Sequence, residues 1–400
     1  MERTNIVQLM PSKRQEKILR ECMLLSSCVY NMANYEARQN IFKNEKVPNF
    51  FGLQQKIQTK DDYQKLGRSY ALPRLQIYSE TNSARFKLIT SKKQSKVGLP
   101  KYLKNRKTNT TLPSYLVMDN SQYNLKGDYA FIPLSRQMRK ENKIKQKLKI
   151  RYNGILKWEG KQARGQIHLK DNKFYLYQAV TIKEPTLKKS NIKAGLDLGI
   201  KRFFGLYISN GIEKVIGSKR FYRHWQYLTN IISKEQSKIA LLNKKSSKIL
   251  SRLFSKRAKW QDNLFNNIVA KLFKVLNRNN VSELVVGDLK NILEDNDKGK
   301  ELNKMTHNYW SFNILLKKII NKAQEFGIAL RMVTEEYTSR TCPICYDTSK
   351  SNCQDRIFQC SFCGYIDHRD IIGAKNIFIK SMCGSLQSTH WCEIAPLEVA

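Results

Sequence analysis

The spacing of apolar residues changes class several times along the chain, and each change marks an element. A short apolar–polar stretch, TNIVQLM, ends in a turn at Pro11, and Ser12 with Gln15 has the spacing of a helix-capping pair. Ile18, Leu19, Cys22, Met23, Leu24, Val29, Tyr30 and Met32 then recur near the helical period. Residues 40–112 stay polar, lysine-rich and mostly helical in pattern. From residue 114 the period falls to two, in SYLVMDNSQYNLKGDYAFIPL, KQKLKIRYNG and ARGQIHLKDNKFYLYQAVTI. Turns at Gly127-Asp128, Asn153-Gly154 and Asp171-Asn172 divide these stretches into short strands, which predicts a β-barrel or small sheet. PTLKKS, residues 185–190, reads as a linker.

The second half has a different pattern. Residues 191–211 read as a buried strand carrying Asp197, a glycine-containing turn and a second strand, FFGLYIS. Residues 218–286 contain neither Gly nor Pro, and their apolar positions predict a long amphipathic helix or helix pair with a Lys/Arg-rich outer face. ELVVGDL (283–289) is a short buried strand and NYWSFNILLKKIINKAQEFG (308–327) an amphipathic helix stopped by Gly327. IALRMVTEEY is a further strand, and AKNIFIKSM opens a final helix. Strands alternating with helices in this way predict an α/β domain. The whole chain is therefore expected to be an α+β multidomain protein.

Charge changes the picture. Lys and Arg number 72 against 33 acids, a net charge of +39. Such a chain repels itself unless an anionic partner is present, and nucleic acid is the partner that charge favours; a merely basic, ribosomal-type surface is the alternative. No run of ~18 apolar residues predicts a membrane span. Without a secretory signal, the cysteines outside the pairs described next (Cys22, Cys28, Cys353, Cys383 and Cys392) read as reduced thiols of an intracellular protein.

The most specific chemistry lies between Val333 and Asn376. Cys342-x2-Cys345 and Cys360-x2-Cys363 each place two thiolates on one knuckle, and together they make a four-thiolate site for one structural Zn2+. A pair of disulfides, or four unrelated core cysteines, is the competing reading of the same four residues. Acids flank the pairs: Glu335 and Glu336 before, Asp370 after. Asp197 and Asp370 could be metal ligands, or a turn residue and a helix N-cap.

GLDLGIKRFFGLYIS, LVVGDLKNI, EEYTSRTCPIC and CSFCGYIDHRDIIGAKN, in that order, resemble the RuvC-like nuclease half of the transposon-associated TnpB proteins, an organisation shared by type V CRISPR effectors and Fanzor proteins. The resemblance covers residues 191–380, and more weakly the first helix, LMPSKRQEKILRECMLLSSCVYNMANYE. It implies a β-barrel wedge module (1–15 and 113–190) interrupted by a helical recognition insertion (16–112). A RuvC-like, RNase H-like nuclease domain (191–336 and 366–382), an inserted zinc ribbon (337–365) and a C-terminal tail (383–400) would follow.

Two departures matter. The family's strand motif V-V-E-D-L carries a metal-binding glutamate; here Val285-Val286-Gly287-Asp288-Leu289 has glycine in its place. Asp288 is no substitute, because adjacent strand side chains point to opposite faces. Fanzor proteins and their nearest TnpB relatives carry the glutamate on the later strand, at the position of Glu335, where usual TnpB proteins have proline. The resemblance thus implies Asp197, Glu335 and Asp370 as ligands of two catalytic Mg2+, and Arg356 as an arginine near the scissile phosphate. Second, the family's D-x-N-A-A-x-N reads Asp370-Ile371-Ile372-Gly373-Ala374-Lys375-Asn376. The implied partners are a guide RNA and a target DNA, with the protein a monomer on its RNA, nuclear if its origin is eukaryotic or viral. Three classes stay open: an RNA-guided DNA endonuclease, a nuclease-dead RNA-guided repressor, and an unguided zinc-ribbon nucleic-acid-binding protein. Cleavage in Mg2+ separates the first two; co-purified RNA separates both from the third.

Overall fold

The computed structural model describes residues 1–91, 97–105, 107–199, 202–288, 312–348, 351–354 and 356–383, with the backbone alone for 351–354. The chain divides into two compact units, Met1–Lys183 and Glu184–Ala400.

In the first unit β1 (Glu2–Met10) leads into α1 (Lys13–Phe42), whose start carries the full capping box: Ser12 and Gln15 each accept from the other's backbone N–H. Three further helices follow, α2 (Phe50–Ile57), α3 (Asp61–Leu66) and α4 (Arg68–Thr90). Strands β2 (Leu116–Met118), β3 (Asn124–Lys126) and β4 (Tyr129–Ile132) precede a short α5 (Arg136–Glu141). Then come β5 (Leu148–Asn153), β6 (Lys161–Lys170) and β7 (Lys173–Thr181). The seven strands form one antiparallel sheet in the order β2-β6-β7-β1-β5-β4-β3. The first strand pairs between β5 and β7, so the helices are an insertion between strands of one sheet. Alternate strand residues such as Leu148, Ile150, Phe174 and Leu176 share one core with Ile18, Leu19, Tyr70 and Leu75 of the helices.

In the second unit β8 (Lys193–Leu198), β9 (Phe204–Ile208) and β10 (Glu213–Ile216) form an antiparallel meander. The glycine-free run is a helix pair, α6 (Lys219–Leu241) and α7 (Lys248–Arg278), each started by a serine cap, Ser218 and Ser247. Strands β11 (Glu283–Asp288) and β12 (Ala329–Thr334) join in parallel, on either side of α8 (Phe312–Phe326). The predicted start of that last helix, residues 308–311, and the tail beyond residue 383 lie outside the described residues. The sheet order is β10-β9-β8-β11-β12.

Strand alternation divides its two faces. Ala194, Leu196, Leu206, Leu284 and Val286 pack against Phe265, Leu272, Leu315 and Ile319 of α7 and α8. The opposite face takes α9 (Arg369–Cys383), through Tyr207, Ala374, Phe378 and Ile379. The final helix begins five residues earlier than AKNIFIKSM implies, so Asp370 lies inside its first turn. Between β12 and α9, the strands β13 (Ser351–Gln354), β14 (Ile357–Cys360) and β15 (Ile366–His368) form a small antiparallel sheet.

Candidate active site and metal centres

The four paired cysteines converge. Their sulfurs all lie within 4.8 Å of one another, with Cys342–Cys363 at 3.6 Å and Cys345–Cys360 at 3.5 Å. The edge of a tetrahedron of thiolates about 2.3 Å from zinc is about 3.8 Å, so the cluster fits that ion, and the sulfurs are free thiols. Ile372, fully buried, packs with Cys342, Phe358 and Cys360. An apolar side chain where the family has asparagine is thus the plug that seats the ribbon on α9.

The acids lie near one another at the α9 face of the five-stranded sheet. Asp197 and Gly195 point to that face because Ala194, Leu196 and Leu198 point to the other. Asp197 pairs in register with Gly205 of β9. A Cβ on Gly205 would strike the Asp370 carbonyl, and a Cβ on Gly373 would stand 2.8 Å from Asp197 Oδ2. Two glycines therefore let the first turn of α9 lie directly on the strand beside Asp197. On the other side β11 pairs with β8 up to Val286–Leu196, which brings Gly287 level with Asp197.

Glu335 is the first residue past β12. Its carboxylate fills the space in front of Gly287, where a Cβ would come within 2.5 Å of Glu335 Cγ. Its carbonyl is held by the Thr338 N–H at 3.2 Å and hydroxyl at 2.8 Å. Asn376 of α9 ties that turn down, donating from Nδ2 at 2.7 Å to both the Thr338 and Thr341 carbonyls. The missing carboxylate of β11 and the acid after β12 thus occupy one place. Any side chain at 287 competes with Glu335. Gly287→Ala should displace the carboxylate and cost about 1–3 kcal/mol of stability by overpacking. Gly287→Glu combined with Glu335→Ala should be more stable than Gly287→Glu alone, because the two side chains compete for one space; equal or lower stability in the double variant would contradict the exchange.

Burial and the Asp370 charge push Asp197 up to about 7; burial with the charges of Asp197 and Asp288 pushes Glu335 up to about 8. Glu335 Oε1 is buried without a hydrogen-bond partner. Crowded carboxylates raising one another, with an orphaned oxygen among them, suit hard divalent cations such as Mg2+. Ordinary carboxyls titrate near 3.8 and 4.5, so the folded chain holds more protons than the unfolded one between pH 4 and 8. These two groups therefore stabilise the fold fully below pH 4, and that contribution is lost as pH rises to about 8. Without added divalent cation, the urea midpoint should fall over this range, less steeply in Glu335→Gln, and Mg2+ should restore most at pH 8.

Arg356 stands just before β14 with φ 75°, and its Nη1 donates to both Asp370 oxygens at 2.9 and 2.7 Å. Its carbonyl accepts from the Arg369 N–H at 2.8 Å, tying the ribbon to the start of α9. Lys375, a variable position of the family motif that the sequence reading leaves without a role, is buried. It donates to Tyr365 OH at 2.6 Å, Asp367 at 2.8 Å and Glu213 at 2.5 Å. Burial opposes its charge, but Asp367 and Glu213 outweigh that and raise its pKa. It clamps β15 and β10 to α9. Glu336, by contrast, is exposed.

Residues 175–293 match a family model described as "Probable transposase", and residues 312–377 one described as "Cas12f1-like, TNB domain". A TnpB-like protein of Acidianus two-tailed virus is 29% identical over 95% of this chain and 87% of its own length. The CRISPR-associated endodeoxyribonuclease Cas12f1 of Sulfoacidibacillus thermotolerans is 36% identical over 18% of each chain. Among solved structures, a Cas12f1 from a complex with sgRNA and target DNA shares the fold, with a TM-score of 0.58, 16% identity, and 92% of this chain and 83% of that one covered. No helix among the described residues is long and apolar enough to cross a membrane. The two matched segments carry Asp197, Glu335, the four cysteines and the first turns of α9, and the viral relative extends the likeness over 95% of the chain: the protein is similar to TnpB-like proteins along nearly its whole length.

Proposed function

We propose that this protein is an RNA-guided DNA endonuclease of the Fanzor type. The observation that carries the reading is the Glu335 carboxylate standing in front of Gly287, level with Asp197. Loss of one acid and gain of another at the same point in space is the mark of a retained site. Two Mg2+ held by Asp197, Glu335 and Asp370 would supply activation of water and stabilisation of the leaving oxygen in phosphodiester hydrolysis. The chain's own part is positional: the turn at Thr338 holds Glu335, the first turn of α9 holds Asp370, and Arg356, bonded to Asp370, would be the cation nearest to a phosphate brought to that acid. The zinc does no chemistry, because four thiolates fill its coordination.

The seven-stranded sheet with its inserted helices would hold guide RNA and its heteroduplex with DNA. Proteins of this kind grip the backbone and shape and leave sequence to base pairing; a net charge of +39 supports that use. The similar Cas12f1 solved with sgRNA and target DNA supports these partners. The test is to sequence RNA recovered with the protein and to programme cleavage with it in Mg2+. A single recurrent RNA and guide-dependent cuts are expected. RNA-free protein at low salt would overturn the guided reading; guided binding without cleavage would make the protein a repressor.

A further inference from the structure

The β8–β9 turn delivers an arginine whose contact with the ribbon cannot be satisfied as it stands. Arg202 Nη1 lies 2.6 Å from His368 Nε2. On the other side of the ring, His368 Nδ1 lies 3.1 Å from the Asp370 backbone N–H. Both partners are donors. A neutral imidazole has one in-plane lone pair, and a protonated one has none. If Nδ1 accepts from the amide, Nε2 carries hydrogen and meets the guanidinium donor to donor. If Nε2 accepts from Arg202, Nδ1–H meets the amide instead. In every protonation state at least one of the two contacts fails. No ion pair of Arg202 with a carboxylate occurs among the described residues, whereas its neighbour Arg356 has Asp370. A half-buried guanidinium is therefore held against an imidazole, with no carboxylate paired to it among the described residues.

An oxygen with several lone pairs removes the conflict. It accepts from Arg202 and from His368 Nε2–H together, and leaves Nδ1 to the Asp370 amide. A non-bridging phosphate oxygen has that capacity, and a phosphodiester carries one negative charge to meet one guanidinium. We propose that Arg202 and His368 form a phosphodiester-binding subsite beside the acid cluster, which holds the backbone of the strand entering the site. Occupancy would also fix the imidazole with Nδ1 as acceptor, and so lock the first turn of α9 that carries Asp370. Arg202 and His368 are positioning residues in this sense. The assignment of the strand as DNA about to be cut rests on the proposed function; the phosphodiester subsite itself does not.

The experiment uses the full chain with its co-purified RNA. Arginine modification by phenylglyoxal is mapped by mass spectrometry, with and without a short oligothymidylate. Arg202 is expected to react several-fold more slowly with the oligonucleotide present, and His368→Asn, which keeps an acceptor near Nδ1 but removes the Nε2 donor, should weaken that protection. In guided cleavage, Arg202→Gln should lower kcat by about tenfold to a hundredfold, the scale expected when a reacting strand is misplaced, and should weaken guided DNA binding by a much smaller factor. Arg202→Lys should recover part of the rate, since it returns the charge without the fork, and zinc content should not change. Undiminished reaction of Arg202 in the presence of oligonucleotide overturns the subsite, whether or not the protein cuts DNA. Protection of Arg202 in a protein that never cuts upholds the subsite and overturns the nuclease reading instead.

Discussion

Glu335→Gln should lower guided cleavage by about a thousandfold, about 4 kcal/mol of barrier, while guided DNA binding stays near wild type. Glutamine has the size of glutamate and can keep the space in front of Gly287 filled. The turn beyond it is held through the Glu335 carbonyl, by Thr338 and in turn by Asn376, and none of these contacts uses the carboxylate. What would be lost is the charge with which Glu335 would join Asp197 and Asp370 in holding the proposed divalent cations. Asp197→Ala and Asp370→Ala should be as inactive, the latter also releasing Arg356. Glu336→Gln should be mild, because that side chain is exposed. Asp288→Asn should be mild for chemistry, although its charge is one of those holding Glu335 up. Cleavage by Glu335→Gln at the wild-type rate, with Glu336→Gln or Asp288→Asn inactive, would show that the wrong acid had been assigned.

The zinc site should behave as a folding determinant. Wild-type protein is expected to carry one Zn2+ per chain by elemental analysis. Structural zinc in small modules contributes about 10–16 kcal/mol of apparent binding free energy, which is folding free energy for the segment it closes. Cys360 is buried against Phe358 and Ile372, so Cys360→Ser removes a ligand and leaves a hydroxyl in the ribbon core. Loss of zinc and nearly all cleavage should follow. The effect reaches the acids along two paths: Arg356 enters from β14, and Lys375 joins β15 to α9. Metal-free wild-type protein, or a Cys360→Ser variant that cuts like wild type, would refute a structural zinc.

Local information determined a good deal of this protein. The doubled CxxC spacing specifies a four-thiolate cluster, because two residues between cysteines fix a knuckle whatever surrounds it. Ser12 with Gln15 specifies the start of α1, and alternation around Asp197 specifies a strand with one acid on one face; both depend only on neighbours along the chain. Comparison of GLDLG, VVGDL and EEYTSRTC with a known family pointed to Glu335 as the replacement acid. Only the tertiary structure shows that Glu335 fills the space in front of Gly287. Gly287 faces Glu335 because β11 pairs in parallel with both β8 and β12, and pairing between distant strands leaves no periodic trace in a sequence. Gly205 and Gly373 owe their identity to a helix lying on a strand. Ile372, a departure from the family pattern, is explained by the ribbon core it plugs. Lys375 and the contact of Arg202 with His368, 166 residues apart, come from side chains that meet where three segments of chain converge. Spacing along a chain sets which face a residue occupies; what stands opposite that face is set by packing.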